Sequence, residues 1–203
     1  MELGVFGGTF DPPHYGHLAL AETARVQLGL DEVLFVPAGA PPHKLDHRLS
    51  PPEVRAALVE AAIADNPAFT LCRVDLDRPG PHYTVEMLRL LRRRFPQVER
   101  WYFLMGEDSL RDFPTWREPA RILEMATLAV MPRPQMAADV EAVLARLPAL
   151  RGRFLWLDVP PVYFAATDLR RRVRVGLPLR YLVPPAVEQQ IAERQLYREP
   201  YPN

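Results

Sequence analysis

Cysteine and lysine are almost absent from this sequence. Cys72 is the only cysteine among 203 residues, which excludes an internal disulfide, and its apolar neighbours predict a small buried core residue. Lys44 is the only lysine, whereas arginine is abundant. A compact ammonium group in a chain that otherwise uses guanidinium groups is a candidate for a specific contact.

The sequence also lacks a long apolar run and an excess of charge. No uncharged apolar run approaches the roughly 18 residues of a membrane span, and the first residues resemble a strand rather than a signal peptide. We therefore expect a cytoplasmic protein with no membrane partner. The formal net charge is zero, with 25 basic and 25 acidic residues, which argues against binding nucleic acid through bulk electrostatics.

Length and hydrophobic content indicate one folded unit. The chain has 203 residues, of which 48% are hydrophobic, and this suits a single domain over 1–203 with a well-buried core. We expect residues 165–203 to form a closing helical segment. No pattern in the sequence determines the oligomeric state.

Short apolar runs alternate with segments of helical periodicity, which predicts an α/β fold with a parallel sheet between two layers of helices. Ligands of such sheets bind beyond the carboxyl ends of the strands, where the strand order reverses. Gly29 is expected to end the first helix and Ser50 to cap the second. The predicted strands are Leu3–Phe6, Val33–Val36, Phe69–Val74, Trp101–Met105, Thr127–Met131 and Phe154–Leu157. The predicted helices are Leu18–Leu28, Pro52–Ala64, Thr84–Phe95, Ala138–Leu147, Asp168–Val175 and Pro185–Gln195.

The loop after the first strand, GGTFDPPHYGH at 7–17, carries the clearest functional signal. Gly7 and Gly8 allow a ligand to approach backbone N–H groups, and the following helix directs its positive dipole end to the same space. His14 and His17 lie three residues apart at the helix start, so both rings can face one pocket and stabilise charge in a transition state. This pattern favours a phosphate site over two histidines that merely cap a helix. Two histidines alone are too few ligands for zinc.

The segment GVFGGTFDPPHYGH resembles the signature of the HxGH nucleotidyltransferase superfamily, and the chain most resembles bacterial nicotinate-nucleotide adenylyltransferases. Further motifs occur in the family's order, namely VPAGAPPHK, PHYTVEML, FLMGEDSLRDFPTW and TDLRRRVRVG. The resemblance implies a Rossmann-like nucleotidyltransferase fold, with ATP and nicotinate mononucleotide as substrates. It also implies a reaction assisted by Mg²⁺ that gives deamido-NAD and pyrophosphate.

Together, the residue chemistry and the resemblance predict three sets of site residues. The predicted catalytic residues are His14, His17, Lys44 and Arg170. The predicted ATP-binding residues are Gly7, Gly8, Thr9, Phe10, His17, Gly106, Asp108, Thr167 and Arg170. The predicted residues for nicotinate mononucleotide are His14, Lys44, Thr84, Trp116 and Arg117. No side chain is expected to bind the metal directly, because substrate phosphates would bridge the Mg²⁺.

The carboxyl-terminal signature departs from the family. The family pattern is Ile-Ser-x-Thr-x-x-Arg, and this chain has FAATDLR over 164–170. Thr167 and Arg170 match, but Ala165 stands at the first serine position, so a hydroxyl contact to ATP is missing. We expect Thr167 to cap the late helix and Arg170, one turn in, to bind a phosphate oxygen.

A separate group of residues is expected to bind the nicotinate mononucleotide. Asp108 follows a strand and is expected to accept hydrogen bonds from ribose hydroxyls. Trp116 can stack on a pyridine ring, and Thr84 with nearby backbone N–H groups can meet the ring's carboxylate. His82 and Arg117 replace a serine and an aromatic residue of the family. We hypothesise that Arg117 adds attraction for the carboxylate.

Three alternatives to this function stay open from the sequence. Phosphopantetheine adenylyltransferases and cytidylyltransferases share the HxGH site. A non-catalytic nucleotide-binding sensor would be consistent with the alanines at 165 and 166. A metal-dependent phosphohydrolase would release phosphate from ATP without an acceptor.

Overall fold

A computed structural model describes residues 1–39, 49–132, 138–160 and 164–198. The strands are β1 (Glu2–Gly8), β2 (Glu32–Pro37), β3 (Phe69–Leu71), β4 (Arg100–Gly106), β5 (Thr127–Met131) and β6 (Phe154–Trp156). The helices are α1 (Tyr15–Leu28), α2 (Pro52–Ile63), α3 (Thr84–Arg94), α4 (Glu107–Asp112), α5 (Pro119–Met125), α6 (Val140–Arg146), α7 (Ala166–Arg174) and α8 (Pro185–Glu193). These elements bear out the predicted α/β class.

The six strands form one sheet in the order β3-β2-β1-β4-β5-β6, and every neighbouring pair is parallel. From β1, the chain adds β2 and β3 on one side of the sheet. It then returns to form β4 on the other side of β1. The order therefore reverses between β1 and β4, and a crevice opens beyond their carboxyl ends.

Helices cover both faces of the sheet, because alternate strand residues point to opposite sides. One core cluster joins α3, α4, α5 and α6 to residues such as Val5 and Phe103. The other joins α1, α2, α7 and α8 to residues such as Phe6 and Phe35. Cys72 is buried in the first cluster, as predicted.

Several predicted boundaries shift for identifiable reasons. Gly29 ends α1 with φ at 64°, the left-handed conformation expected of a helix-terminating glycine. β3 stops at Leu71, earlier than predicted, because the carbonyl of Arg73 accepts the N–H groups of Leu76 and Asp77 and closes a turn.

Two predicted helix caps are wrong. Pro51, not Ser50, is the N-cap of α2. The Ser50 N–H donates to the Asp11 carboxylate and its carbonyl accepts from Arg55, so this residue links segments instead of capping a helix. Ala165, not Thr167, is the N-cap of α7, because that helix already begins at Ala166.

Two short helices were not predicted. α4 has six residues and α5 has seven, and helical periodicity is hard to recognise over so few positions. Across the described ranges, no helix combines the length and apolar character that crossing a membrane requires. The single domain over 1–203 and the extent of its closing segment remain predictions.

Candidate active site

Two adjoining cavities lie at the carboxyl ends of β1 and β4. The first, here called the histidine cavity, has a volume of about 380 Å³ and is bordered by His14, His17, Thr167 and Arg170. The second, here called the α3 cavity, has a volume of about 430 Å³ and is bordered by Thr84 at the start of α3. Residues that line both cavities are Gly7, Gly8, Thr9, Phe103, Asp108, Ser109 and Trp116. The cavities therefore meet over the end of β1.

The two histidines lie against each other in the histidine cavity. Their ring centroids are 3.7 Å apart and the ring planes differ by 24°, so the rings are stacked. His14 is the N-cap of α1 and is buried, and His17 is the third residue of the helix. The sequence spacing thus places both rings at one helix start, beside the backbone of the first loop.

A backbone contact defines the proton position on His17. Its Nδ1 lies 3.2 Å from the backbone nitrogen of His14 and accepts that N–H. This is the contact that a glutamate makes at the same helix position in a capping box. Because Nδ1 is an acceptor, the neutral ring carries its proton on Nε2, which is then a hydrogen-bond donor.

Phe10 packs against the His17 ring. Its backbone is in the left-handed region, with φ at 48°, and its side chain is 1% exposed. The Phe10 ring meets the His17 ring edge-on at 5.1 Å, and a Cβ on Gly8 would lie 3.1 Å from the Phe10 ring. Phe10 was predicted to bind ATP, but its ring borders neither described cavity and instead packs beneath His17.

The start of α7 forms another wall of the histidine cavity. Ala165 is the N-cap in an extended conformation, with φ at −117° and ψ at 134°, and it has no hydroxyl to accept a backbone N–H. Thr167 lines the cavity from the second helical position. Arg170 lines it as well, and its Nη1 donates to the backbone carbonyl of Asp11 at 2.6 Å.

The end of β4 supplies the residues between the cavities. Gly106 is the N-cap of α4 and borders the histidine cavity, whereas Asp108 borders both. Glu107 points elsewhere, because its buried carboxylate accepts the N–H of Ala138 at 2.8 Å. Of the two adjacent carboxylates, the structure therefore brings Asp108 to the site.

Aromatic packing shapes the α3 cavity. The Trp116 ring meets Phe103 edge-on at 5.9 Å and lies 5.3 Å from Phe113. The guanidinium of Arg117 stacks over the Tyr83 ring at 4.7 Å. Thr84 is the first residue of the eleven-residue α3, so the positive end of this helix dipole faces the same space.

Asp75 on the wall of the α3 cavity and its partner Arg78 were not predicted. Asp75 lines the α3 cavity, is buried, and pairs with Arg78 at 2.6 Å. Burial raises the pKa of Asp75, and the bond to Arg78 opposes that rise. His82 is buried beside them, with its Nε2 3.0 Å from the Arg78 carbonyl. In the sequence, the DLDR segment at 75–78, shortly before the Tyr-Thr pair at 83–84, could have indicated this charged cluster.

Arg55 is a further residue that was not predicted. It lies on α2, is fully buried, and borders neither cavity. Its guanidinium donates to the carbonyls of Thr9 at 3.0 Å, Gly39 at 3.1 Å and Ser50 at 2.9 Å. Burial lowers the pKa of Arg55, and the nearby Asp11 opposes that change. One side chain therefore links the segments that follow β1 and β2 to the start of α2.

Lys44 lies outside the described residues, so its predicted contact stays a prediction. Within the described part of the chain, no group of three or more histidine, cysteine, aspartate or glutamate residues is arranged to hold a metal ion.

Comparison with known proteins gives a consistent result. The model of the cytidylyltransferase-like family matches residues 5–172. A probable nicotinate-nucleotide adenylyltransferase of Thermomicrobium roseum is 50% identical, over 97% of this chain and 91% of the relative. One from Thermus thermophilus is 46% identical, over 98% of this chain and 100% of the relative.

Solved structures agree on the fold. The Plasmodium falciparum nicotinic acid mononucleotide adenylyltransferase complexed with NaAD has a TM-score of 0.76 and 18% identity, and the match covers 97% of each chain. At this identity the likeness bears on the fold alone, and it confirms the predicted Rossmann-like nucleotidyltransferase architecture. Because the family model and the high identity span most or nearly all of the chain, this protein belongs to the cytidylyltransferase-like family and, within it, to the nicotinate-nucleotide adenylyltransferases.

Proposed function

We propose that the protein transfers the adenylyl group of ATP to nicotinate mononucleotide, giving deamido-NAD and pyrophosphate. The observation that carries this proposal is the junction of the two cavities. The histidine cavity contains cationic and hydrogen-bonding groups suited to a triphosphate, and the α3 cavity contains an indole and a helix start suited to an aromatic acid. Gly7, Gly8 and Thr9 border both, so two phosphates can meet there.

The nucleophile is the 5′-phosphate of the mononucleotide. Its second pKa is about 6, so at neutral pH it is mostly a dianion and needs no general base. Its oxygen forms a bond to the α-phosphorus of ATP, and the bond from that phosphorus to the bridging oxygen breaks. The electron pair leaves with pyrophosphate. The protein's task is to align two anions and to disperse the charge that develops.

In this proposal His17 donates from Nε2 to an oxygen of the α-phosphate, because its Nδ1 is already occupied by the His14 N–H. His14 stacks on His17 and limits its rotation. Arg170 and the N-terminal turn of α7 bind the leaving phosphates. Lys44 is proposed as a further phosphate contact.

A divalent cation, proposed to be Mg²⁺, enters bound to ATP and neutralises part of the triphosphate charge. Substrate phosphates would hold this cation. The protein's own groups then need only orient the oxygens that the cation leaves accessible. We keep a cytoplasmic location as part of the same proposal.

The α3 cavity is proposed to recognise the acid. Trp116 stacks on the pyridine ring, and Thr84 with the first N–H groups of α3 binds the carboxylate. Arg117, which also borders this cavity, adds positive charge nearby. Asp108, at the junction, accepts hydrogen bonds from ribose hydroxyls.

The test supplies ATP, Mg²⁺ and one acceptor at a time, and identifies the product by mass. The acceptors are nicotinate mononucleotide, nicotinamide mononucleotide, phosphopantetheine and a control without acceptor. We expect deamido-NAD and pyrophosphate with the first acceptor. Product with phosphopantetheine alone, phosphate release without an acceptor, or ATP binding without turnover would each overturn the proposal.

A further inference from the structure

A buried hydrogen bond connects the end of the described chain to the first loop. The Tyr197 hydroxyl donates to Oδ1 of Asp11 at 2.6 Å, and the two residues are 186 positions apart in the sequence. Both are buried, with Asp11 fully so. Hydrogen bonds to an ionised carboxylate are short and strong, so this contact fixes both partners.

Asp11 accepts two further hydrogen bonds, through Oδ2 and through its backbone carbonyl. Its Oδ2 accepts the N–H of Ser50 at 3.0 Å, so both carboxylate oxygens are held. Its backbone carbonyl accepts Nη1 of Arg170 at 2.6 Å. When the carboxylate is held at both oxygens, the carbonyl of the same residue has a defined direction, and so does the guanidinium that it binds.

Tyr197 and Asp11 differ from the residues proposed to contact substrate. Neither one lines the histidine cavity or the α3 cavity, whereas Arg170 lines the histidine cavity. α8 leads to Tyr197, and its residues Val187 and Ile191 pack in the same core cluster as α1 and α2. The late helix thus holds the tyrosine hydroxyl against the back of the first loop.

We infer that Tyr197 and Asp11 are positioning residues for adenylyl transfer, and that they act by fixing Arg170 against the first loop. This inference rests on the proposed function. The path runs from the Tyr197 hydroxyl to the Asp11 carboxylate, and from the Asp11 carbonyl to the guanidinium in the histidine cavity. Small misplacements of a group that binds a reacting phosphate lower the rate more than they lower affinity for a distant ring.

Tyr197→Phe is the direct test, because it removes one oxygen and retains the ring. We expect kcat to fall about tenfold and the Kd for a non-hydrolysable ATP analogue to rise about threefold. The KM for nicotinate mononucleotide should change less than about twofold, since neither Tyr197 nor Arg170 borders the α3 cavity. Tyr102→Phe is the matched control, because Tyr102 is a half-buried tyrosine of β4 outside both cavities.

A double-mutant cycle separates positioning from a general effect on folding. In an Arg170→Ala background, Tyr197→Phe should change kcat by less than about twofold, because the group through which it acts is gone. Thermal melting of each variant reports stability separately, and rates are measured well below every melting transition. Equal losses in both backgrounds, or a melting change with kcat unaltered, would overturn the inference.

The failure of the proposed function is distinguishable from this result. If the unaltered protein forms no deamido-NAD, the proposed function fails at that step. The Kd for the ATP analogue is then the only test of the inference that Tyr197 positions Arg170. An unchanged Kd in Tyr197→Phe would contradict that inference.

Discussion

The two cavities that meet at the end of β1 are built in different ways. In the histidine cavity, protein hydrogen bonds fix the functional groups, as in His17 with the His14 N–H and Arg170 with the Asp11 carbonyl. In the α3 cavity, aromatic packing sets the shape, through Trp116 against Phe103 and Phe113. Under the proposed function, we therefore expect the first cavity to govern the rate and the second to govern which mononucleotide binds.

The greatest loss of activity is expected from a change in the histidine cavity. His17→Ala should lower kcat about 100-fold, because it removes a donor aimed at the reacting phosphate. ATP affinity, measured by titration calorimetry, should change less than about threefold. His17→Gln, whose amide nitrogen can replace the Nε2 donor, should recover part of the loss. An unchanged turnover number in His17→Ala would refute the assigned role.

The counterpart in the α3 cavity is Trp116→Ala. We expect the KM for nicotinate mononucleotide to rise about tenfold, because stacking on an aromatic side chain is worth about 1–3 kcal/mol, and kcat to fall less than about threefold. Steady-state kinetics against each substrate measures both constants. Trp156→Ala, at an exposed position of β6, is the matched control. An equal rise in the KM for ATP would contradict separate roles for the two cavities, since Trp116 borders both.

A gain of function is expected at the start of α7. Ala165→Ser places a hydroxyl at the N-cap, where it can accept a backbone N–H and reach the histidine cavity. We expect a KM for ATP about threefold lower and a melting temperature higher by about 2–4 °C, since a cap contributes about 1 kcal/mol. Ala166→Ser also places a hydroxyl on the wall of the histidine cavity, but it lies one position inside the helix and should leave the melting temperature unaltered. Identical effects of the two variants would contradict the capping explanation.

The smallest expected effect concerns selectivity for the acid. Arg117→Ala should reduce the ratio of kcat/KM for nicotinate over nicotinamide mononucleotide about threefold, because a largely exposed charge contributes about 0.2–1 kcal/mol. Arg111→Ala, which removes an arginine of α4 outside both cavities, should leave the ratio unaltered. A ratio that stays constant in Arg117→Ala would exclude this residue from acid recognition.

The sequence predicted the parts of this molecule that local patterns determine. Six strands and six of the helices follow from apolar runs and helical spacing, and His14 and His17 share a cavity because both lie at one helix start. The alanine at 165 was recognised as a missing hydroxyl, but its position as the N-cap of α7 depended on where the helix begins. Helix boundaries are the least reliable feature of such predictions.

Contacts between distant segments could not be predicted from the sequence, because no local pattern identifies both partners. Arg55 lies at helical spacing from the buried Leu58, Val59 and Ala62. A charged residue on this apolar face could have indicated that Arg55 is buried and paired. Its three carbonyl partners come from other segments, which no local pattern identifies. The bond between Tyr197 and Asp11 spans almost the whole chain and carries no local pattern.

Gly7 and Gly8 border both cavities and project no side chain between them. A dinucleotide formed there under the proposed function would occupy both at once, so neither could accept a new substrate before the whole product departs. A molecule that imitates both halves joined through their phosphates would therefore compete with ATP and with the mononucleotide together. Such a compound is the natural starting point for an inhibitor of this protein.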